Sequence, residues 1–349
     1  MSLLRMDEHR ADQRVAVART STAPASWIRP GRTLLVASGG GHLDELVALR
    51  HRFLPALEAV EWATFDTPQA RQLLAGEVVH YVPFVRPRDA RGALLNSIVA
   101  NRLLGSHRFA RVISTGAAVA VPFIGGARSH GLAAHYIESA ARCQGLSMSG
   151  SMVAHIPGVR LYGQYPGWTS GRWQFRGSVF DGFTPRPDRA VARFQRVVVM
   201  FGTQRGYGFR RAAERLAALL PEVCAPEARV LWQTGATDTT GLPIHAVDLL
   251  PPAELERAVA EADVVVSHAG VGSALLALLH GKCPLLLPRD PAYDEHADDH
   301  QRFIADELTG RGLAVSADAD LVSAADLRRA ASIRPERSGQ PPRFLLQPD

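Results

Sequence analysis

The chain has 349 residues, 46% hydrophobic and 21% charged, a composition of globular proteins and a length sufficient for two domains of common size. Its formal net charge is +5, supplied almost wholly by arginine, which admits an anionic substrate, an anionic membrane surface or nucleic acid as partner. The three cysteines, Cys143, Cys224 and Cys283, fall in no CxxC or metal-like spacing, which argues against a structural zinc site and for reduced thiols in a cytoplasmic protein.

Residues 1–31 are rich in Arg, Ala, Ser and Thr, close on "RPGR" and lack a sustained apolar period, so they are expected to be a flexible leader outside the fold. With no apolar run of about 18 residues and no signal-peptide core, neither a bilayer span nor export is expected.

From residue 33 short apolar runs alternate with helix-like segments: "TLLVA", "LDELVALRHRF", "EWATF", "QARQLLA", "VVHYVPF" and "RVIST". This alternation predicts parallel strands joined by crossover helices. Residues 85–111 interleave Arg86, Arg88, Arg91, Arg102, Arg108 and Arg111 with Leu94, Leu95, Ile98, Val99, Leu103 and Leu104. That stripe fits either a crossover helix packed on the sheet or an amphipathic helix docked on anionic lipid.

Residues 157–192, rich in Gly, Pro, Trp and Arg, read as a domain edge and linker. A second alternating run follows, from "VVVMFG" through "FRRAAERLAALLPEV", "RVLWQTG", "HAVDLL", "PAELERAVAEA", "DVVVSHAG", "VGSALLALLHG" and "CPLLLPR" to "DDHQRFIADELTGRG". The expected divisions are a leader over 1–31, an α/β unit over 32–181, a linker over 182–195, a second α/β unit over 196–335 and an irregular tail over 336–349.

Two small-residue turns carry the chemistry. In the first, "TLLVA" runs into Ser38, Gly39, Gly40 and Gly41 and then a helix, so a bare backbone and unpaired helical N–H groups face an anion or a sugar. The consecutive glycines are no GxGxxG fingerprint, and the lysine of a phosphate-binding P-loop is missing. His42 occupies the first helical turn, where the macrodipole disfavours imidazolium and suits the ring to act as a general base; a plain capping role is the structural alternative.

The second turn, "DVVVSHAGVGSA" over 263–274, places Ser267, His268, Ala269, Gly270, Val271, Gly272 and Ser273 between a β-branched strand and a helix, an arrangement that accepts phosphate oxygens. "FGTQ" (201–204) and "QTGA" (233–236) also follow apolar runs and should gather at the same carboxyl end of the sheet.

The segment "SHAGVGSALLALLHGKCPLLLPR…HADDHQ" resembles the donor-binding domain of family 28 glycosyltransferases, which include the bacterial peptidoglycan GlcNAc transferase and the catalytic subunit of the eukaryotic dolichol-linked GlcNAc transferase. The amino-terminal half, through "SGGGHLDEL", "STGAAVAVPF", "HYIESAARCQGLSMSG" and "YGQYP", is similar to that eukaryotic enzyme's membrane-recruiting subunit, as though the two were fused. The resemblance implies an α/β, two-domain GT-B fold with two Rossmann-like parallel-sheet domains. It also implies a nucleotide-sugar donor in the interdomain cleft, inversion at the anomeric carbon, and neither an obligatory metal nor a permanently bound cofactor.

By position, the resemblance places Gly202, Thr203, Gln204, Gln233, Thr234, Gly235, His268, Ala269, Gly270, Val271, Gly272 and Ser273 on the nucleotide and diphosphate. His300 and Gln301 would face the sugar. Ser38, Gly39, Gly40, Gly41, Thr115 and Gly116 would form the acceptor loop, with His42 as base and Glu138 as a rival base or an orienter of the acceptor. Where relatives carry a ribose-binding Glu this chain has Leu276, which bears on the expected UDP-linked donor. Glu295, Asp298 and Asp299, in a longer acidic segment, are then candidates for the sugar or ribose.

The function expected is therefore sugar transfer to a hydroxyl on a polyprenyl-linked acceptor, at the cytoplasmic membrane face. A soluble natural-product acceptor, a nucleotide-sugar epimerase and a non-catalytic scaffold are the competing readings. Dispersed arginines and the lack of a binding motif argue against nucleic acid.

Overall fold

The computed structural model describes residues 31–85, 89–106, 108–168, 171–189, 191–202 and 206–349. The leader up to residue 30, Arg86 and Arg88, and the expected donor-site residues Thr203 and Gln204 lie outside the described residues.

The first half runs β1 (Arg32–Ala37), α1 (Gly41–Arg50), β2 (Phe53–Leu54), β3 (Val60–Phe65), α2 (Pro68–Leu73), β4 (Val79–Val82), α3 (Ala90–Leu104) and β5 (Phe109–Gly116). It continues through α4 (Ala120–Ser129), β6 (Ala133–Ile137), α5 (Met148–Ala154), β7 (Arg160–Gly163) and β8 (Trp173–Phe175). Its seven-stranded sheet has the order β4-β3-β1-β5-β6-β7-β8, parallel throughout. Local chemistry sets the helix starts. The Thr67 hydroxyl accepts from Ala70 N–H ahead of α2, and the Asp89 carboxylate accepts from Gly92 N–H ahead of α3.

After β9 (Phe183–Pro187), the second half runs β10 (Phe194–Met200), α6 (Arg210–Val223), β11 (Cys224–Gln233), β12 (Ala246–Val247), α7 (Pro252–Glu261), β13 (Val264–His268) and α8 (Val271–Leu279). Then come β14 (Leu285–Leu287), α9 (His300–Gly310), β15 (Val315–Ser316), α10 (Ala324–Ala331), β16 (Ile333–Arg337) and β17 (Phe344–Leu345). Six strands, β12-β11-β10-β13-β14-β15, form a second parallel sheet. The strands read as unbroken β-branched and leucine runs because helices cover both faces, the condition that keeps parallel sheets dry.

In each sheet the strand order reverses once, between β1 and β5 in the first and between β10 and β13 in the second. Loops leaving such a pair diverge and open a crevice at the carboxyl ends of the strands. Both glycine turns singled out in the sequence lie at these two points.

The halves share one apolar cluster: Leu43 and Leu46 of α1 are buried with Val271, Ala274, Leu275 and Leu278 of α8 and Ile304, Ala305 and Leu308 of α9. Polar ties join them as well, with Arg311 donating to Asp181 at 2.7 Å and Arg142 to Asp298 at 2.9 Å.

Two segments are more ordered than their composition suggested. The expected linker contributes β9, which pairs antiparallel with β16. The expected irregular tail returns to the first half, where β17 pairs with β2 and Phe344 is fully buried, 5.6 Å from the Phe53 ring and 5.4 Å from that of Tyr162. Beyond it Asp349 reaches the buried Arg111 at 2.8 Å. Pairing across nearly 300 positions leaves no local periodicity, so these residues look like loop when read in sequence.

Phe344→Ala removes a buried aromatic and is expected to destabilise the fold by about 3 kcal/mol, read as a lower denaturant midpoint. A midpoint within error of the parent would mean that the tail is not part of the core.

Candidate active site

The turn after β1 is built around the α1 N-terminus. Gly40 has φ 72°, a conformation that favours glycine, and its N–H donates to Gln69 Oε1 at 2.7 Å. Gln69 Nε2 in turn donates to Asp44 Oδ1 at 2.8 Å. Ser38 N–H donates to the Gly116 carbonyl at 3.0 Å, so the ends of β1 and β5 meet and the turn Ser38 to Gly41 starts beside Thr115 and Gly116.

His42 is fixed twice by Thr115. Its Nδ1–H donates to the Thr115 carbonyl at 2.8 Å, and its own carbonyl accepts from the Thr115 hydroxyl at 2.7 Å. With the proton on Nδ1, the neutral ring carries its lone pair on Nε2. Burial pulls the imidazole below its usual range; the Thr115 carbonyl acts the other way, and the charge of Arg142, with that of His300 when protonated, reinforces the lowering. Gly116, at φ 104°, holds a conformation strained for any other residue, and a Cβ there would press on the His42 ring at 3.2 Å.

The second switch point is as tightly drawn. Gly202, at φ 80°, lies against the His268 ring: a Cβ there would come within 2.6 Å of it, and one at Gly270 within 2.3 Å. A Cβ at Gly235 would meet the Gly202 carbonyl oxygen at 2.6 Å. His268 therefore fills the space between bare backbones, and burial followed by the charge of Arg289 pulls its ring down to about 3, so it is neutral. Gln233, Thr234 and Gly235 are tied to the next loop through Leu250 N–H, the Val247 carbonyl and the Asp248 carbonyl. Ala269 and Val271 are buried, and Gly272 and Ser273 open the first turn of α8.

These two sites face each other. A Cβ on Gly272 would lie 2.7 Å from Asp44 Oδ2 and 3.2 Å from the Gly41 Cα, so the first turns of α1 and α8 touch backbone to backbone. Neither helix has a side-chain cap. Their free N–H groups make the seam favourable to negative charge.

Other expected residues take different places. Glu138, put forward as a rival base, is 1% exposed, and its carboxylate accepts from the Ser147 N–H and hydroxyl, Ser139 N–H and the Tyr136 hydroxyl. With four donors on its two oxygens, it braces the start of α5. Glu295 accepts from Arg211 at 3.0 and 3.2 Å and from Asp290 N–H at 3.0 Å, which spends it on shaping its own loop. Gln301 Oε1 accepts from Arg289 N–H at 3.1 Å, and His300 Nδ1 contacts Asp298 Oδ1 directly.

Four residues around the two turns escaped the sequence reading. Arg289 is 3% exposed, donates to the Phe201 carbonyl at 2.7 Å and is pulled down to about 10 by burial. Its signal was its place at the end of "LLLPR", the carboxyl end of a parallel strand. Arg142 reaches Asp298 from the other half. Asp44 and Glu45 lie in "LDELVALRHRF", whose local pattern does not set them apart. Glu45 is in fact fully buried, accepting from the Ser139 hydroxyl at 2.6 Å, Ala140 N–H at 2.9 Å and Gln164 Nε2 at 2.7 Å.

Two switch-point crevices facing one another across a shared seam define the GT-B architecture. Residues 196–325 match the glycosyltransferase family 28 C-terminal domain. The chain is 31% identical over 300 residues, 80% of its length and 82% of the relative's, to the UDP-N-acetylglucosamine–N-acetylmuramyl-(pentapeptide) pyrophosphoryl-undecaprenol N-acetylglucosamine transferase of Synechococcus sp. (strain CC9902). It is 26% identical to the protein of that name in Parasynechococcus marenigrum (strain WH8102), over 79% of this chain and 81% of the relative. Among solved structures it is similar to MurG of Acinetobacter baumannii (TM-score 0.54, 19% identity, 86% of this chain and 89% of that one). The glycosyltransferase SnogD of Streptomyces nogalater compares at TM-score 0.56 and 20% identity, over 86% and 91% of the two chains. The chain belongs to the family 28 glycosyltransferases and is an enzyme of the hexosyltransferase type.

Burial pushes the Glu45 carboxyl up to about 7, against 4.5 for an ordinary glutamate. The folded state thus holds this proton more tightly than the unfolded chain. The resulting stability is fully present below about 4.5 and is lost as pH rises through about 7. Denaturation midpoints should fall between pH 5 and 8 with a Glu45 contribution of roughly 3 kcal/mol. Asp44, also pushed up to about 7, adds in the same direction, so Glu45→Gln should flatten the slope without abolishing it. An unchanged slope in Glu45→Gln would count against this assignment.

Proposed function

We propose that the enzyme transfers a sugar from a UDP-linked donor to a hydroxyl of a polyprenyl-linked acceptor, with inversion and without an obligatory metal. The second half binds the donor and the first half the acceptor. The observation that carries this reading is the contact between the first turns of α1 and α8, with His42 beside it and its Nε2 bare.

The donor diphosphate belongs at the start of α8, where Gly270 to Ser273 offer main-chain N–H groups to the charge that grows on the leaving group. The sugar then lies toward His300 and Gln301, and the acceptor hydroxyl enters along Ser38 to Gly41 and Thr115 to Gly116. As that oxygen attacks the anomeric carbon from the face opposite the diphosphate, the carbon–oxygen bond to the diphosphate breaks and His42 Nε2 takes the hydroxyl proton. A neutral imidazole held by the Thr115 carbonyl is ready for that role.

The donor and acceptor classes are supported by the relatives, which are named for UDP-N-acetylglucosamine and an undecaprenol-linked acceptor. Leu276 packs with Val198, Val259 and Ala277 against α7, so no carboxylate projects from that position. Ribose hydroxyls are then read by other groups of the cleft.

A lipid-linked acceptor requires a surface that approaches the membrane. On α3, Leu94, Leu95 and Ile98 are 65%, 53% and 44% exposed, while Asn96, Ala100 and Leu104 make the buried face. Arg91 and Arg102 flank the exposed apolar stripe. Arg108 is taken up by the buried Glu61 at 3.0 Å and is not part of that surface. Among the described residues no helix is long and apolar enough to cross a membrane, and the proposed site of action is the cytoplasmic face, by peripheral attachment.

His42→Ala should lower kcat by about 10²-fold or more while leaving the donor KM nearly unchanged. In the parent, turnover should rise with pH through an inflection below 6.5, the lowered imidazole value, because only the neutral ring accepts a proton. Near-normal turnover in the variant would remove His42 from the mechanism. Separately, Leu94→Glu with Leu95→Glu should abolish co-sedimentation with anionic vesicles; equal sedimentation of variant and parent would rule out docking through α3.

A further inference from the structure

The loop after β14 and the start of α9 gather His296, Asp298 and His300, each offering one ligand atom, with all three atoms within 4.8 Å of one another. The Nδ1 atoms of both rings face the same carboxylate oxygen. His300 Nδ1 is in direct contact with Asp298 Oδ1, and His296 Nδ1 lies 3.4 Å from it. Asp298 Oδ2 points the other way, to Arg142 of the first half, at 2.9 Å.

His296 Nδ1 also lies 3.3 Å from the Asp298 N–H, so two imidazole nitrogens and one carboxylate oxygen converge within a single turn of chain. A carboxylate oxygen approached by two ring nitrogens is satisfied by an N–H from each ring or by one cation that all three atoms share. We propose that His296, Asp298 and His300 form a binding site for one divalent transition-metal ion of the zinc type.

Two imidazole nitrogens and one carboxylate oxygen select zinc or cobalt over magnesium or calcium, which prefer all-oxygen shells. Three protein ligands leave a fourth position for water or an anion. The surroundings supply the orienting contacts that metal ligands need. Arg142 fixes the carboxylate through its second oxygen, and the Tyr207 ring stacks on that of His296 at 5.5 Å and 22°. To bind, His296 gives up only the long bond from Asp298 N–H.

Because Arg142 comes from the other half, an ion on Asp298 strengthens a bridge across the seam. It also takes the Nδ1 of His300, which the proposed function sets toward the donor sugar, so bound metal and bound donor would share that side chain. The test needs neither donor nor acceptor, so its failure leaves the proposed function standing.

The test uses the full chain, stripped with chelator, without nucleotide or acceptor. Cobalt(II) titration should give one equivalent with the strong visible bands of a four-coordinate ion, and zinc should displace it. Zinc should also survive gel filtration at one equivalent by elemental analysis. His296→Asn and Asp298→Asn should each weaken cobalt binding by more than about tenfold, and Arg142→Ala by about tenfold through loss of orientation. Thermal unfolding without metal verifies that each variant is folded, and His296→Asn, which keeps a polar group of similar size, serves if Asp298→Asn does not fold. Failure of the parent to retain either ion, or parent-like cobalt binding by folded His296→Asn, overturns the proposal.

Discussion

The architecture depends on the approach of two backbones, Gly41 at the start of α1 and Gly272 at the start of α8. A side chain at either position would be driven into the opposite turn, 3.2 Å from backbone atoms. The contact brings two helix N-termini together, which is electrostatically unfavourable unless negative charge or acceptors lie nearby. Asp44 and Gln69 supply part of this, with Gln69 linking the Gly40 N–H to the Asp44 carboxylate. Burial keeps Asp44 at about 7, so at neutral pH its charge is only partly developed. The seam is thus held together by apolar packing of Leu43, Leu46, Val271 and Leu275, and it retains a demand for anionic charge at the place proposed for a diphosphate.

The two histidines show how one topological position yields two roles. His42 and His268 both lie where a parallel sheet reverses its strand order, and burial lowers both rings. His268 is enclosed by Gly202 and Gly270, whose missing side chains give the ring its space, so it sets the distance between the β10 loop and α8. His42 is held from one side through Nδ1 by Thr115, which suits Nε2 to the role proposed for it. The difference lies in what surrounds each ring, since the local sequences, "GGGH" and "SHAG", are alike in their small residues.

The glycine turns, the alternation of strand and helix, and the position of His42 were legible in the sequence because each depends on neighbours within a few residues. Glycine at positive φ leaves a direct trace, as at Gly40, Gly116 and Gly202. What escaped depends on partners far away. Glu45 is buried through Ser139, Ala140 and Gln164, at separations of 94 to 119 residues, and nothing in "HLDELVALR" marks it apart from the exposed acids of other helices. Arg142 meets its partner across 156 residues, and the tail pairs with β2 from the opposite end of the chain. Glu138 stood out as an acid in a small-residue segment, but only the fold reveals that Ser147, Ser139 and Tyr136 saturate it.

The contrast between Glu138 and His42 also decides which group is placed to receive a proton. Burial raises the Glu138 carboxyl above its ordinary value, which taken alone would suit a base working near neutral pH. A base must also present a lone pair to its substrate. The Glu138 carboxylate receives four donors from its own chain, and moving one of them aside would leave a buried donor unpaired, at a cost of about 1–3 kcal/mol. His42 bears no such cost: the Thr115 carbonyl fixes the tautomer, and among the described residues no hydrogen bond is made to the opposite nitrogen. Geometry, more than proton affinity, supports the proposal that His42 takes the proton, while Glu138 holds α5 in place.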